Sequence, residues 1–219
     1  MMSVTVISIA PMSATVIIYD GGMGRWEPNA QGRLAVAAME LYSERGFEQT
    51  TVAEIAKRAG LTERTFFRHF TDKREVLFWG SAALKDLLVT AIAGAPDATT
   101  PIDAVAAAFE AAGAMLQERR DGARQRQAII AANEELQERE LIKLASLGFA
   151  VAGALRERGV PDPAASLAAE AGVAVFRIAF ERWVNQSGES GGQDLPQLIR
   201  SSLDALKVVT AGRVVTEGS

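Results

Sequence analysis

The sequence predicts an all-α protein, in which an N-terminal three-helix helix-turn-helix domain precedes a C-terminal helical bundle. From residue 31 onward, apolar residues recur at helical spacing throughout the chain. Residues 50–73 contain two short helix patterns that are joined by a tight glycine turn. The remainder of the chain is rich in Ala, Leu and Val, and alanine lets helices approach each other closely. These observations favour packed helices.

The domain boundaries follow from changes in this pattern. Residues 29–76 are predicted to form the helix-turn-helix domain, and residues 77–211 the bundle. Residues 1–28 hold β-branched segments without a partner sheet, so we expect a disordered or artefactual extension, with Met23 as an alternative start. The stretch VIIYDGGMG lacks the full dinucleotide-binding spacing and a following βαβ unit, which argues against nucleotide binding. Residues 212–219 are predicted to be a flexible tail.

The second and third helices have local start and stop signals. Thr50 or Thr51 can cap the second helix, and Glu54 follows Thr51 at the capping-box spacing. Gly60 can end that helix, since glycine tolerates the left-handed conformation that is common there. Thr62 can cap the third helix, which is predicted to run to about Phe70.

The third helix carries cationic and hydrogen-bonding side chains, while its Phe66 and Phe70 are predicted to face inward. A second helix of this kind can enter the major groove of DNA. We expect Arg64 and Thr65 to contact base edges, since arginine can bond guanine with two hydrogen bonds. The other residues expected at the DNA interface, mainly on sugar and phosphate, are Thr51, Thr62, Phe67, Arg68, His69 and Lys73. The alternative is an ordinary helical hairpin with a solvated charged face.

The charge distribution supports the DNA interpretation. The net charge of the chain is −4, which by itself does not suit a DNA-binding protein. Residues 57–74, however, contain six basic and two acidic residues, which gives +4 in that segment. A basic patch on an otherwise acidic body is typical of a protein that docks one end on phosphate.

Residues 33–77 resemble the DNA-binding domain of TetR-type (TetR/AcrR) transcriptional regulators. The resemblance rests on RLAVAAMELYSERGFEQTTV, on VAEIAKRAGLT and on ERTFFRHF followed by Asp72 and Lys73. It implies a homodimeric regulator, most often a repressor, which releases its operator when a small molecule binds in the C-terminal bundle. The family usually has tyrosine where this chain has Phe67, which lacks the hydroxyl for a phosphate hydrogen bond.

The helices outside the motif are predicted from apolar spacing and from Gly and Pro breaks. The first helix and the body helices are expected over residues 29–46, from Asp72-Lys73 to Gly94, 101–120, 127–132, 134–158, 164–185 and 195–210. The charged stretch RRDGARQR is expected to be a bend, and SGESGG a flexible linker. The fourth helix is the expected lever between the DNA end and the body.

The last two helices carry broad apolar faces. Paired with the same helices of a second chain, they would form a four-helix interface. We therefore expect a homodimer through residues 164–184 and 195–209, with Leu203 inside the contact.

The resemblance also implies a mainly apolar ligand cavity in the bundle. The expected wall residues are Phe109, Met115, Leu116, Ile130, Leu147, Phe176 and Arg177. Each of these side chains, taken alone, also fits a plain packed core. Arg177 can pair with Glu181, four residues on, or one of the two can orient a polar group of the ligand.

Composition argues against several other classes. The chain has no cysteine and a single histidine, His69, so we expect no metal, no cofactor and no catalytic triad, and hence no enzyme. We expect no membrane span and a cytoplasmic location. The alternatives left open are an activator or a ligand-independent regulator, an enzyme with a site in the body, and a purely structural helical dimer.

Overall fold

The computed structural model describes residues 29–186 and 192–211, which are helical and contain no strand. The predictions for residues 1–28, for residues 212–219 and for most of the SGESGG linker lie outside these residues. The helices are α1 (Ala30–Arg45), α2 (Val52–Arg58), α3 (Glu63–His69), α4 (Ser81–Ala93), α5 (Pro101–Gln117), α6 (Arg120–Ala131), α7 (Glu134–Glu157), α8 (Asp162–Asn185) and α9 (Leu195–Thr210). The all-α prediction is confirmed.

Local capping determines where α1, α2 and α3 begin and end. The side chain of Asn29 accepts a hydrogen bond from the backbone at the start of α1. Thr51 and Glu54 form the predicted capping box of α2, and Thr62 caps α3. Gly60 has a φ of 66°, the left-handed conformation expected of it. The predictions for the capping box, for Thr62 and for Gly60 are confirmed, whereas the Asn29 cap was not predicted.

Two hydrophobic cores lie along the chain. The first core joins α1, α2 and α3 through Leu34, Leu41, Ile55, Phe66 and Phe70. It also contains Ile129 and Ile130 from α6 and Leu136 from α7. The end of α6 and the start of α7 are therefore packed into the helix-turn-helix domain rather than into the body.

The fourth helix begins later than predicted. The carboxylate of Asp72 accepts backbone hydrogen bonds from Arg74 at 2.8 Å and from Glu75 at 3.2 Å. This cap starts a short 3-10 turn, Glu75–Phe78, and α4 follows only from Ser81. The prediction of one helix from residue 72 was wrong, because the carboxylate of Asp72 stabilises a turn there.

The charged stretch RRDGARQR is not a bend. Most of it lies in α6, which runs from Arg120 to Ala131. The guanidinium of Arg120 donates to the carbonyl of Trp183 at 3.1 Å and to that of Gln186 at 2.6 Å. Arg126 is turned inward as well. The sequence prediction failed because Arg120 and Arg126 have hydrogen-bond partners in distant elements.

The body packs α5, α8 and α9 around the second core, with α4 and α7 beside them. Helices α5 and α8 approach closely at Gly172, where a Cβ atom would meet Val105 and would lie 2.9 Å from Phe109. A glycine is needed at this position because the side chains of Val105 and Phe109 occupy the space that a Cβ atom would take.

Two helical stretches, Glu75–Ala93 and Asp162–Asn185, are long and apolar enough to span a membrane by length and composition alone. Core helices of globular proteins meet the same two criteria, so these stretches do not overturn the expectation of no membrane span. Both stretches contribute to the helical cores, where Leu88 and Trp183 are fully buried. Burial within the protein accounts for part of their apolar composition.

Candidate nucleic-acid interface

Helix α3 has a buried inner face and an exposed outer face. Phe66 is fully buried and Phe70 nearly so, and their ring centroids are 5.5 Å apart. On the opposite side, Arg64, Phe67 and Arg68 are exposed. The aromatic contact fixes the rotation of this short helix, so that these three side chains point away from the domain core.

Helix α2 is attached to α1 by three ion pairs. Arg58 lies 2.8 Å from Glu44 and 3.2 Å from Glu40. Arg45 lies 2.8 Å from Glu54, whose pKa is lowered first by the Thr51 backbone hydrogen bond and also by the charge of Arg45. Exposed ion pairs are individually weak, but together they hold α2 against α1, and with it the turn that leads into α3.

The turn between α2 and α3 is also held by a side chain from α1. Arg33 of α1 donates from Nε to the carbonyl of Ala59 at 3.1 Å and from Nη2 to that of Gly60 at 3.4 Å. These carbonyls end α2, and the guanidinium satisfies them. Arg33 was not among the predicted functional residues, and no local sequence motif identifies it.

Lys73 was expected on a DNA phosphate, but its ammonium group makes contacts within the protein. Its Nζ donates to the carbonyls of Phe47 at 2.8 Å, Thr50 at 3.1 Å and Glu48 at 3.3 Å. It also lies 4.3 Å from the centroid of the Phe47 ring. An ammonium has three donors, and all three are used here to hold the α1–α2 loop.

The same region contains a buried hydroxyl. Tyr42 donates its hydroxyl to the carbonyl of Lys73 at 2.6 Å. Burial, and next the negative charge of Asp72, raise the pKa of Tyr42 far above its ordinary value. The neutral hydroxyl therefore remains a donor at all physiological pH values and fixes the start of the segment that leads to α4.

The other predicted contact residues differ in accessibility. Thr62 and Thr65 are joined through their hydroxyls at 3.1 Å, and Thr51 is engaged in its capping box with Glu54. The Nε2 atom of His69 is buried and has no hydrogen-bond partner among the described residues. The ring of His69 thus does not present this atom to a phosphate in the present conformation.

The basic patch is smaller than its sequence suggests. Of its six basic residues, Arg58, Lys73 and Arg74 are engaged with acidic or carbonyl groups. Within residues 29–186 and 192–211, no ion pair or hydrogen bond involves the side chains of the other three, which are Lys57, Arg64 and Arg68. These three cations are the ones available to phosphate or to base edges.

A polar network connects this domain to α7. Glu75 accepts hydrogen bonds from Arg139 at 2.6 Å and from Lys143 at 2.8 Å. Burial alone would raise the pKa of Glu75, but the hydrogen bonds from Lys143 and Arg139 outweigh it and leave the pKa lowered. Arg74, which pairs with Asp72 at 2.7 Å, also contacts Glu135.

Arg126 of α6 extends the same network. It donates to the carbonyl of Leu77 at 2.7 Å and to Glu140 at 3.0 Å, and lies 5.0 Å from the centroid of the Phe78 ring. Burial lowers the pKa of Arg126, partly offset by the charge of Glu140. The turn before α4 is therefore held by side chains from both α6 and α7.

The predicted ligand-pocket residues do not all meet. Phe109, Leu147 and Phe176 share the body core, and the rings of Phe109 and Phe176 lie 5.2 Å apart. Ile130 belongs to the other core, with α1 and α3. Arg177 is exposed and lies 3.9 Å from Glu181, the pairing considered from the sequence. Met115 and Leu116 are half-buried near the end of α5.

An aromatic row runs through α5 and α8. From Phe109 and Phe176 it continues to Phe180 at 5.8 Å and on to Trp183 at 5.6 Å. The indole Nε1 of Trp183 is buried and has no partner among the described residues. A buried donor without an acceptor is costly.

The outer face of α8 is apolar and open. Ala164, Leu167, Ala171, Ala174 and Ile178 follow each other at alternating spacings of three and four residues, and Leu167 is 72% exposed. A groove of about 380 Å³ lies beside this face and includes Leu206 of α9. Leu203 also lines this groove, but only 5% of it is exposed because it packs into the body core.

Helix α7 also has an exposed apolar surface. Leu141, Ile142 and Phe149 of α7 are exposed as well. Among the residues that the structure describes, no group of three or more acidic, His or Cys side chains is placed to hold a metal ion.

Comparison with family models gives two matches. Residues 34–78 match the model for bacterial regulatory proteins of the tetR family. Residues 99–211 match the MftR C-terminal domain model. The two matches cover the helix-turn-helix domain and almost all of the body from α5 onward.

Individual relatives agree in part of the chain or in fold. The HTH-type transcriptional regulator TcmR of Streptomyces glaucescens is 38% identical over 74 residues, 34% of this chain and 33% of that protein. The matched part thus spans about a third of the relative's length. A TetR-family regulator from Syntrophomonas wolfei has a similar fold (TM-score 0.60, 13% identity, 86% and 98% of the two chains). So does FadR of Bacillus subtilis, solved with stearoyl-CoA (TM-score 0.56, 21% identity, 80% and 96%).

Proposed function

Because the chain belongs to the TetR family of bacterial regulatory proteins, we propose that it is a repressor whose operator is released by a small, mainly apolar ligand. As a member of this family it is a DNA-binding transcriptional regulator and not an enzyme. The observation that carries the proposal is the outward face of α3, where Arg64 and Arg68 are exposed above the buried Phe66. We place the protein in the cytoplasm, where an operator is accessible.

The proposed DNA contacts are revised by the geometry. Arg64 and Thr65 read base edges, and Arg68 positions the helix on phosphate together with Thr51 and Thr62 at the two helix starts. Lys57 adds a further phosphate contact, because its ammonium has no partner in the described structure. Lys73 and His69 leave the contact set, since the first holds the α1–α2 loop and the second has its Nε2 atom buried.

Selection of bound DNA from a random pool tests this proposal directly. Arg64→Ala should relax the preference at one base position and weaken the selected site by about 1–3 kcal/mol. Lys57→Ala is the matched control, since loss of a phosphate contact should weaken all sequences equally. A uniform loss for Arg64→Ala would place its guanidinium on the DNA backbone, and no enrichment at all would reject sequence-specific binding.

The second part of the proposal is a homodimer. Two copies of α8 would bring the open stripe around Leu167 and Ile178 together, and α9 would contribute Leu206 from the adjoining groove. A two-fold dimer presents two copies of α3, which requires an operator with two related half-sites. Selected sequences should therefore contain an inverted repeat.

The third part is the ligand. We propose that it binds along the aromatic row, with the indole N–H of Trp183 as the donor to its polar group. An apolar, aromatic-lined site suits an acyl chain or an aromatic metabolite. Stearoyl-CoA is a reasonable first probe, because FadR of Bacillus subtilis, which shares the fold, was solved with it.

Release requires that the ligand binds the DNA-free form more tightly than the DNA-bound form. The coupling is reciprocal, so operator DNA must weaken ligand binding by the same factor. The test is a titration of stearoyl-CoA, followed by a metabolite library, with and without operator, using tryptophan fluorescence. Equal ligand affinity in the two titrations would reject induction and leave DNA binding intact.

A further inference from the structure

Phe67 is the exposed aromatic residue on the outward face of α3. Its side chain is 55% exposed, although a phenyl ring on a short surface helix gains nothing from water. The ring stands edge-on to the buried Phe66, at a centroid distance of 5.5 Å and an interplanar angle of 82°. This contact with an immobile core side chain limits the directions that the exposed ring can take.

The position of Phe67 on the helix places it beside the proposed base-reading residue. It lies three residues after Arg64, and residues three or four apart are neighbours on a helix surface. If the guanidinium of Arg64 bonds a guanine, the phenyl ring reaches an adjacent base pair or the next one. It cannot donate a hydrogen bond to phosphate, because it has no hydroxyl.

The major groove offers one apolar feature to such a ring. Base edges there carry hydrogen-bond donors and acceptors, except that thymine also presents its C5-methyl group. We propose that Phe67 is a specificity-determining residue that packs on a thymine methyl, next to the base pair that Arg64 reads. The inference rests on the proposed placement of α3 in the major groove, and adds a base preference that does not depend on hydrogen bonds.

Thr65 is the competing source of the same preference. Its side chain also carries a methyl group, and threonine methyls can contact thymine. Thr65 is only half-exposed, however, and its hydroxyl is tied to that of Thr62 at 3.1 Å. The exposed ring of Phe67 offers a larger apolar surface to the groove, which is why we assign the contact to Phe67.

The experiment removes single methyl groups from the DNA. The operator is first obtained by selection, and each thymine is then replaced in turn by deoxyuridine, which lacks the C5-methyl. Wild-type protein should lose about fourfold in affinity at one thymine in each half-site, equivalent to about 0.8 kcal/mol for one buried methyl. That thymine should lie within two base pairs of the position that Arg64→Ala relaxes.

Two variants then identify the residue. In Phe67→Ala, the penalty for deoxyuridine should vanish, whereas in Thr65→Ser, which removes only the threonine methyl, it should persist. Thermal unfolding should be nearly unchanged in Phe67→Ala, because most of the ring is exposed.

Four outcomes overturn the inference: a selected site without thymine near that position, no deoxyuridine effect anywhere, an effect that survives in Phe67→Ala, or one that is lost in Thr65→Ser. A failure to select any sequence would instead reject the proposed function. The two failures are therefore distinguishable.

Discussion

The carboxylate of Glu75 accepts a hydrogen bond from Lys143 at 2.8 Å, across 68 residues of sequence. Glu75 lies in the turn that follows the helix-turn-helix unit, and Lys143 lies in α7 of the body. With Arg139 on the other carboxylate oxygen, Glu75 is held at the point where the two domains meet. A rearrangement that carries a signal between the body and α3 would pass through the region where this contact joins them.

Glu75→Gln should lower stability by about 1 kcal/mol at neutral pH, because it removes a partly buried acceptor of two charged donors. The pKa of Glu75 is lowered in the folded state, so its contribution is complete above the ordinary carboxyl pKa of about 4.3. It is lost as the pH falls through the lowered value. Denaturant unfolding of wild type and variant at neutral and acid pH measures this contribution to the free energy of unfolding.

The matched control is Glu138→Gln, an exposed glutamate on α7. This substitution should leave the free energy of unfolding unchanged at both neutral and acid pH. If the difference between wild type and Glu75→Gln were constant down to pH 3, the charge of Glu75 would not be the cause.

Lys73→Ala should destabilise the helix-turn-helix domain by about 2 kcal/mol, because it leaves three backbone carbonyls of the α1–α2 loop without their charged donor. It should leave the salt dependence of DNA binding unchanged. Lys57→Ala should do the opposite, with unchanged stability and a salt slope smaller by about one per protomer.

Thermal unfolding and binding titrations between low and moderate salt separate these roles. A reduced slope for Lys73→Ala at full stability would return Lys73 to the DNA interface.

Leu167→Glu should dissociate the proposed dimer without unfolding the protomer, because this side chain is 72% exposed on the outer face of α8. Operator affinity should fall strongly, since two half-sites are no longer held together. Leu203→Arg is not an interface test, because Leu203 is buried and an unpaired charge there should unfold the body.

Phe149→Glu on α7 is the matched control, since its side chain is also exposed (76%). Analytical ultracentrifugation should show a monomer for Leu167→Glu and a dimer for Phe149→Glu. The reverse result would place the interface on α7.

Gly172→Ala should lower stability by about 1–3 kcal/mol, because the added Cβ would clash with Val105 and press on Phe109. The control is Gly153→Ala on α7, where nothing lies within 4 Å of the added atom. That change should be neutral or stabilising by about 0.5–1 kcal/mol, since alanine favours helix. Equal effects in thermal unfolding would mean that α5 and α8 are not in close contact at Gly172.

The helix-turn-helix region could be predicted from the sequence because its signals are short in range. The capping box joins Thr51 to Glu54, and the turn needs only the positive φ of Gly60. The stretch RRDGARQR could not be assigned in this way. It is helical because Arg120 reaches the carbonyl of Trp183, 63 residues away, and a local pattern does not contain that partner.

The sequence by itself determined the all-α class, the three helices of the DNA-binding unit and the outward position of Arg64, because caps and helical periodicity act within a few residues. Only the tertiary structure decided which charges are free. In the sequence, Lys57, Arg58 and Lys73 are all basic residues of one charged segment. In the structure, however, Lys73 bonds backbone carbonyls and Arg58 pairs with carboxylates from distant segments. A formal charge is a property of one residue, whereas its availability to DNA depends on which partners the fold brings within hydrogen-bonding distance.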